Sequence, residues 1–344
     1  MLERPSPSPA PGAWAPLVAH AVPVPTPADD ELLVRVEVCG VCRTDLDLAE
    51  GRLAAPAYPL IPGHQVVGRV AGRGHDVQTF NEGDRVGVAW IHSACGVCSW
   101  CRAGMENLCP LFAATGCDVQ GGYAEYLTVR ADFAHEIPAQ IADAEAAPLP
   151  CAGAIGWRSL RLANLRDGEP LGLTGFGASA HLVLQFARHR FPSSPVSVFA
   201  RNAAERDFAR SLGAAWVGDT TDAPPESLRA IIDTTPAWKP VLSALQRLAP
   251  GGRLVINAIR KERRDQSELL NLDYPTQLWM EREIKSVANV TRADVRECLA
   301  AAASLGIRPN VEEMPLERAS EALASLGSGA AIRGAHVLRI ASAG

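Results

Sequence analysis

The chain has 344 residues, of which 47% are hydrophobic and 21% charged, and its formal net charge is −5. These values indicate a globular protein of about two domains; they exclude a disordered or fibrous chain, and the acidic balance argues against a nucleic-acid partner. Because the sequence lacks the ~20 apolar residues in a row of a transmembrane helix, and its start lacks the pattern of a signal peptide, we expect a cytoplasmic protein without a membrane partner.

Nine cysteines in a chain expected in a reducing compartment indicate metal binding or chemistry rather than disulfides. The first candidate ligands are Cys42, in the segment Cys39–Asp45, and His64, which follows a Pro-Gly pair; Cys151 comes much later. Two thiolates and one imidazole neutralise Zn²⁺ and leave its fourth position open for water or substrate. Spacing alone does not join these three residues, because a lone cysteine is usually a core residue and a lone histidine is usually only hydrogen-bonded.

Four further cysteines fall within fifteen residues, with the spacing C-x2-C-x2-C-x7-C. A tetrahedral zinc site takes four thiolates at about 2.3 Å, and two-residue gaps allow a tight turn to aim successive sulfurs inward. An iron–sulfur cluster is the alternative reading of this spacing. A four-thiolate zinc site has no open position, so we expect it to stabilise a lobe of about residues 92–112 and not to bind substrate. Its ligands are Cys95, Cys98, Cys101 and Cys109.

Beyond Glu169 short apolar segments alternate with helical stretches, which predicts an α/β fold with a doubly wound parallel sheet. Leu171–Thr174 is predicted to be a strand and His181–Arg190 a helix. The turn between them has the Gly-x-Gly-x-x-Gly/Ala pattern of dinucleotide-binding proteins, in which a pyrophosphate lies at the helix amino terminus. The cofactor contacts expected in this turn are Gly175, Phe176, Gly177 and Ala178. Later strands are predicted at Val196–Phe199, Ala230–Asp233 and Leu254–Asn257.

The end of the second of these strands indicates which cofactor is bound. NAD-selective domains usually place Asp or Glu there to bind the ribose 2′-hydroxyl, whereas this chain has Arg201. A guanidinium group can bind a 2′-phosphate, so NADP is favoured over NAD; the alternative is a solvated surface arginine. Further cofactor contacts are expected at the ends of later strands, at Asn257, Ala258 and Ala288.

Taken together, these motifs resemble the zinc-dependent alcohol dehydrogenases of the medium-chain dehydrogenase/reductase superfamily. The resemblance runs from about residue 30 to the end, in the family's order, and includes Gly40–Asp45, Gly63-His64, Gly83–Val86, the four-cysteine lobe, Gly121–Glu125 and Cys151. It implies a GroES-like, β-rich catalytic domain at 1–152 and 291–344 and a Rossmann cofactor domain at 153–290. It also implies two zinc ions per chain: a catalytic one bound by Cys42, His64 and Cys151, and a structural one in the lobe.

The resemblance further implies roles for residues around the catalytic zinc. Asp45 is expected to accept the other ring N–H of His64, and Thr44 to hydrogen-bond the alcohol oxygen and pass its proton outward. Two positions depart from the pattern of many relatives. Asp47 stands where many relatives have a histidine that continues the proton relay, so the relay would end in a carboxylate or in water here. Gln65 replaces a carboxylate that can approach the metal in many relatives. These departures concern the rate and its pH dependence, not the reaction class.

The expected function is reversible hydride transfer between NAD(P) and primary alcohols or aldehydes. Trp90 matches a bulky residue that lines the alcohol pocket in some relatives and would exclude secondary alcohols; the alternative is a core tryptophan. Arg43 is expected to contact the cofactor. Alternatives are a polyol or amino-alcohol dehydrogenase of the same superfamily, a non-catalytic zinc-binding homologue, and a zinc-ribbon binding module. By analogy with relatives, we expect a homodimer or homotetramer.

Overall fold

The computed structural model describes residues 1–6, 14–328 and 333–340. The predicted bounds of the first domain also include 7–13, 329–332 and 341–344, which lie outside the described residues. The strands are β1 Glu31–Gly40, β2 Gln65–Arg73, β3 Arg85–Val88, β4 Ile91–Ser93, β5 Ala113–Ala114, β6 Tyr126–Arg130, β7 Ala134–Glu136, β8 Leu171–Thr174, β9 Val196–Phe199, β10 Trp216–Gly218, β11 Leu228–Asp233, β12 Leu248–Ile256, β13 Glu283–Ser286, β14 Val311–Pro315 and β15 Ala335–Arg339.

Helices connect many of these strands. They are α1 Arg43–Ala49, α2 Ser99–Arg102, α3 Asp143–Ala146, α4 Ala154–Ala163, α5 Ala180–Arg190, α6 Ala203–Ser211, α7 Lys239–Leu245, α8 Tyr274–Gln277, α9 Arg292–Leu305 and α10 Ala319–Gly327. A π-helical turn at Leu149–Gly153 leads directly into α4. Among the helices in the described ranges, none has the length and apolar character needed to cross a membrane.

The chain divides into two compact units. The first unit contains Met1–Ala154 and takes up the chain again at Asn289, and the second contains Ile155–Ala288. Each unit is built on its own large sheet.

The first unit is built on a sheet with the strand order β14-β15-β1-β2-β3-β7, in which β6 also pairs with β1. Its pairs are antiparallel except for β14 and β15. The long strand β1 buries every second residue from Leu32 to Val38, the period expected when one face of a strand packs on a core. Gly40 at the end of β1 pairs with Gln65 at the start of β2. This register brings Cys42, two residues after Gly40, to the same sheet edge as His64.

The second unit is a parallel sheet with the strand order β10-β9-β8-β11-β12-β13. From β8 the next strands, β9 and β10, are added on one side, and the later strands, β11 to β13, on the other side. Ligands of such sheets bind at the point where the strand order reverses. The predicted glycine-rich turn directly follows β8. The α/β fold class, with a β-rich unit and a doubly wound parallel sheet, is therefore confirmed.

Element boundaries differ from expectation around β12. The sequence predicts a strand from Leu254, but β12 begins at Leu248, which pairs with Leu228 of β11. The ladder then skips in register before Arg253 pairs with Ala230, and Gly251 in the skipped segment has a φ of +67°. The Pro-Gly-Gly sequence before Leu254 is thus an irregularity inside one strand, because Leu248 already pairs with Leu228 before these residues are reached.

Gly63, next to His64, allows a prediction about stability. Its φ is +96°, and a Cβ there would lie 2.4 Å from the ring of Tyr123, whereas Gly83 has a φ of +88° and open space around it. The left-handed backbone costs an alanine about 1–2 kcal/mol at either position, and the clash at Gly63 adds about 1–3 kcal/mol. We expect Gly63→Ala to lower the urea unfolding midpoint clearly more than Gly83→Ala. An equal decrease of the unfolding midpoint in the two variants would contradict the expected clash between a side chain at position 63 and Tyr123.

Candidate active site

Three side chains from separate parts of the first unit converge on one point. Cys42 caps the amino terminus of α1, His64 directly precedes β2, and Cys151 lies in the π-helical turn Leu149–Gly153. Their ligand atoms all lie within 4.8 Å of one another, and Cys151 Sγ is 3.3 Å from His64 Nε2. Single π-helical turns are frequent at functional sites. The structure therefore brings together the three residues that spacing alone did not join.

Asp45 holds this cluster in place. The residue is fully buried, and its carboxylate lies within hydrogen-bond distance of four groups. Oδ1 faces Gly63 N and His64 Nδ1, both at 3.2 Å, and Oδ2 accepts from Cys42 N at 2.8 Å and from the Tyr123 hydroxyl at 3.2 Å. Because Nδ1 of His64 faces the carboxylate, Nε2 is directed at the thiols.

The electrostatics of the cluster favour a cation. Burial lowers the pKa of His64, but Asp45 and the Cys42 sulfur outweigh burial and raise that pKa to about 10. Hydrogen bonding to Cys151 lowers the pKa of Cys42, and the same contact together with burial raises the pKa of Cys151. The buried Asp45 carboxylate and the Cys42 sulfur thus favour positive charge at this site, which a divalent ion supplies. One imidazole with two sulfurs is a donor set that zinc prefers. Among the described residues the cluster has three donors, which fit a zinc ion with an open fourth position.

Residues around this cluster take different positions. The Thr44 hydroxyl lies 3.6 Å from Cys42 Sγ, and the residue is half-buried. Asp47 is buried and its Oδ1 accepts a hydrogen bond of 2.8 Å from Arg52, so this carboxylate is already engaged. Gln65 is 2% exposed, and its Oε1 has no hydrogen-bond partner within the described residues.

Trp90 is both a core residue and a neighbour of the cluster. It is 9% exposed and belongs to a hydrophobic cluster with Leu48, Leu60, Ala114 and Cys117. Its ring also packs edge-to-face against His64, with 4.8 Å between the ring centroids. The two interpretations of this tryptophan are therefore compatible.

The four-cysteine lobe has the geometry of a closed metal site. The four sulfurs lie within 4.8 Å of one another, and backbone N–H groups point at them: Cys98 N is 3.4 Å from Cys95 Sγ, and Cys101 N is 3.5 Å from Cys98 Sγ. The N–H groups of Val97 and Cys98 lower the pKa of Cys95 to about 6. Four thiol ligands at this spacing fit a zinc ion. The remaining cysteines, Cys39, Cys117 and Cys298, are buried outside both clusters.

The glycine-rich turn after β8 fits a dinucleotide. Gly175 has a φ of +79°, and a Cβ there would lie 2.9 Å from the side chains of Thr234 and Thr235, so a larger residue does not fit. Gly177 is exposed and has open space where a side chain would lie, which leaves room for a pyrophosphate at the start of α5. The Phe176 side chain is buried, so only its backbone can reach a cofactor.

The other predicted cofactor contacts are accessible to varying degrees. Arg201 is exposed after β9, and Ala288 is exposed after β13. Asn257 is partly buried, and its Nδ2 donates to Ser179 Oγ at 3.3 Å beside the glycine-rich turn; Ala178 and Ala258 are also partly buried. Arg43 is exposed and donates to the Leu326 carbonyl at 2.9 Å.

Some supporting residues were not identified from the sequence. Tyr123 stands in the noted motif Gly121–Glu125, but its bond to Asp45 could not be read from the motif. His181 is buried beside the glycine-rich turn, where Nδ1 lies 3.3 Å from the Gly177 carbonyl and burial lowers the pKa of the ring to about 4. Lys261 donates to the buried Asp233 at the end of β11, and no local pattern in the sequence indicates this pair.

Known proteins similar to this chain include alcohol dehydrogenases. Residues 28–139 match the family model described as "Alcohol dehydrogenase GroES-like domain", which agrees with the expected GroES-like domain. The chain is 45% identical to "Probable alcohol dehydrogenase AdhA" of Mycobacterium tuberculosis, over 96% of this chain and 95% of that protein. It is 33% identical to an alcohol dehydrogenase of Geobacillus stearothermophilus, over 91% of this chain and 92% of that protein. A cobalt- and zinc-bound thermostable alcohol dehydrogenase from Pyrobaculum aerophilum superposes with a TM-score of 0.81 and 26% identity, covering 93% of this chain and 94% of that one.

The two sulfur clusters predict the zinc content of variants. We expect two zinc ions per wild-type chain and one in Cys98→Ser or Cys151→Ser, because each substitution removes a ligand from one cluster only. Cys117→Ser, outside both clusters, is the matched control and should retain two. Zinc is measured by mass spectrometry of the dialysed protein. A Cys98→Ser variant that retains both ions would refute the closed site.

Proposed function

Because the chain belongs to the alcohol dehydrogenase family, we propose that it is an NAD(P)-dependent, zinc-dependent enzyme that interconverts primary alcohols and aldehydes. In the oxidation a hydride leaves the alcohol carbon for the nicotinamide, and the hydroxyl proton is released. The observation that carries this proposal is the open centre of Cys42, His64 and Cys151, which has three donors where the lobe has four. Cys42, His64 and Cys151 would hold a zinc ion, which would supply a Lewis acid for the substrate oxygen.

The residues around the centre orient the substrate and remove its proton. Asp45 fixes the ring of His64, so the three donors keep their positions. The Thr44 hydroxyl beside Cys42 accepts the hydrogen bond of the alcohol and passes the proton outward. Because the Asp47 carboxylate is bound by Arg52, we assign the end of this route to water rather than to Asp47.

The alcohol pocket is proposed to accept unbranched primary alcohols. The Trp90 ring beside His64 occupies space that a substituent on the alcohol carbon would need. A polyol or amino-alcohol substrate is disfavoured, because this wall is apolar and offers no partners for extra hydroxyl or amino groups. A non-catalytic homologue is disfavoured by the complete donor set and the open glycine-rich turn, despite Gln65 and Asp47.

NADP is the proposed cofactor, ahead of NAD. Support comes from Arg201, an exposed guanidinium in the position where NAD-selective domains have a carboxylate.

Assembly into a homodimer or homotetramer in the cytoplasm is also proposed. Within the described part of the chain, the edge strand β13 pairs with β12 on one side only, and all four of its residues are exposed. Large apolar side chains lie on or near this edge: Trp279, Met280 and Ile284 are 57%, 50% and 46% exposed. Unpaired strand edges with apolar neighbours associate readily, so a second copy of the chain is the proposed partner.

An alcohol panel tests the reaction and the pocket. We expect benzyl alcohol to be oxidised with a kcat/KM at least about tenfold above that of 1-phenylethanol, because one extra methyl group meets the Trp90 wall. Initial rates are followed by NAD(P)H absorbance, with Cys42→Ser as the inactive control. Two bound zinc ions without turnover of any alcohol would instead support a non-catalytic homologue.

The role of Arg201 is tested by the cofactor dependence of the same assay. We expect Arg201→Ala to raise KM for NADP⁺ about tenfold and to leave KM for NAD⁺ nearly unchanged, because only the 2′-phosphate loses a charged partner. Arg210→Ala, an exposed arginine on α6 that pairs with Asp207, is the matched control. A wild-type protein that prefers NAD⁺ tenfold would refute the assignment.

A further inference from the structure

The indole N–H of Trp90 has a specific partner that the resemblance does not supply. Trp90 Nε1 donates to Asn289 Oδ1 at 3.0 Å, across 199 residues of sequence. The rest of the ring packs against His64 on one side and the hydrophobic cluster of Leu48 and Leu60 on another. Aromatic rings with a polar handle usually find such a partner when buried, and the bond fixes how the ring is turned.

Asn289 is itself held in place. Its φ is +52°, a left-handed conformation that asparagine tolerates better than most residues. Its Nδ2 donates to the Asn107 carbonyl at 3.4 Å, within the short 3₁₀ turn Glu106–Leu108 of the four-cysteine lobe. The same turn is anchored a second time, because the buried Glu106 accepts from Arg292 N at 3.0 Å. The lobe thus provides a fixed support for the Asn289 side chain.

We propose that Asn289 is a specificity-determining positioning residue, which locks the Trp90 ring beside His64 and thereby excludes alcohols branched at the reacting carbon. The inference rests on the proposed function, since it concerns the same alcohol pocket. The bond to Asn289 has a fixed direction, whereas the packing contacts of the ring are non-directional. Without an acceptor for its N–H the ring loses this directional contact, so we expect it to turn more readily and to admit a methyl branch.

Three variants separate this bond from other effects. Asn289→Gly keeps the left-handed backbone without strain and removes the acceptor. Asn289→Asp keeps an acceptor oxygen for the indole and gives up the longer bond of 3.4 Å to the Asn107 carbonyl. Trp90→Phe removes the donor from the other side. The quantity compared is the ratio of kcat/KM for 1-phenylethanol to that for benzyl alcohol. We expect Asn289→Gly to raise this ratio about fivefold, the effect of losing one ordinary hydrogen bond, and Asn289→Asp to stay within about twofold of wild type.

A double-mutant cycle shows whether Asn289 acts through Trp90. In the Trp90→Phe background, Asn289→Gly should no longer change the ratio, because the bond is already absent. A second readout does not depend on turnover. The chain has seven tryptophans, so a nitrogen-15 indole spectrum has few signals, and Trp90→Phe identifies one of them. We expect Asn289→Gly to shift that signal and to speed its exchange with solvent, while Asn289→Asp leaves it slow.

The outcomes distinguish the inference from the function on which it rests. A wild-type protein that oxidises neither alcohol overturns the proposed function and the selectivity role together. If wild type oxidises benzyl alcohol and Asn289→Gly leaves the ratio unchanged, only the inference is overturned. The inference is also overturned if Asn289→Gly changes the ratio equally with Phe at position 90, or if the indole signal is insensitive to Asn289.

Discussion

The first unit depends on the burial of one carboxylate. Asp45 is fully buried, and a buried charge without hydrogen-bond partners costs several kcal/mol. Its four partners come from three separate segments: the start of α1, the loop before β2 and the loop before β6. Each of these segments must return to the same point for the carboxylate to be satisfied. The position of His64 is thus determined by the energetics of Asp45 as much as by the metal it is expected to bind.

The two sulfur clusters are built on different principles. In the lobe the ligands are close in sequence, and a short turn with its N–H groups directed at the sulfurs forms the site locally. In the open centre the ligands lie far apart in the chain and meet only because β1 and β2 pair in register and the π-helical turn supplies Cys151. The local site can stabilise a surface segment, whereas the dispersed site exists only once the sheet has formed. The geometry of the dispersed site is therefore held by the core of the unit.

This difference also determines what could be predicted from the sequence. The lobe and the glycine-rich turn are local patterns, and their spacing indicated the structures that are observed. Cys42, His64 and Cys151 needed the family resemblance, because no periodicity connects residues joined by strand register. The bond between Trp90 and Asn289 was not predicted at all, since it depends on a side chain from a segment 199 residues away. Likewise β12 begins earlier than predicted, because Leu248 pairs with Leu228 on the neighbouring strand, and this pairing is not visible in the local sequence.

The two departures from the family pattern have a common electrostatic consequence. With neutral Gln65 in place of a carboxylate, and with Asp47 engaged by Arg52, the acidic groups that act on the open centre among the described residues are the two thiols and Asp45. Two thiolates would offset the charge of a divalent ion, which leaves the charge of Asp45 from this set. Each negative charge near a hydroxyl disfavours its ionisation. Removing a carboxylate at position 65 therefore favours proton loss from a hydroxyl group in the centre, which is the direction that alcohol oxidation requires.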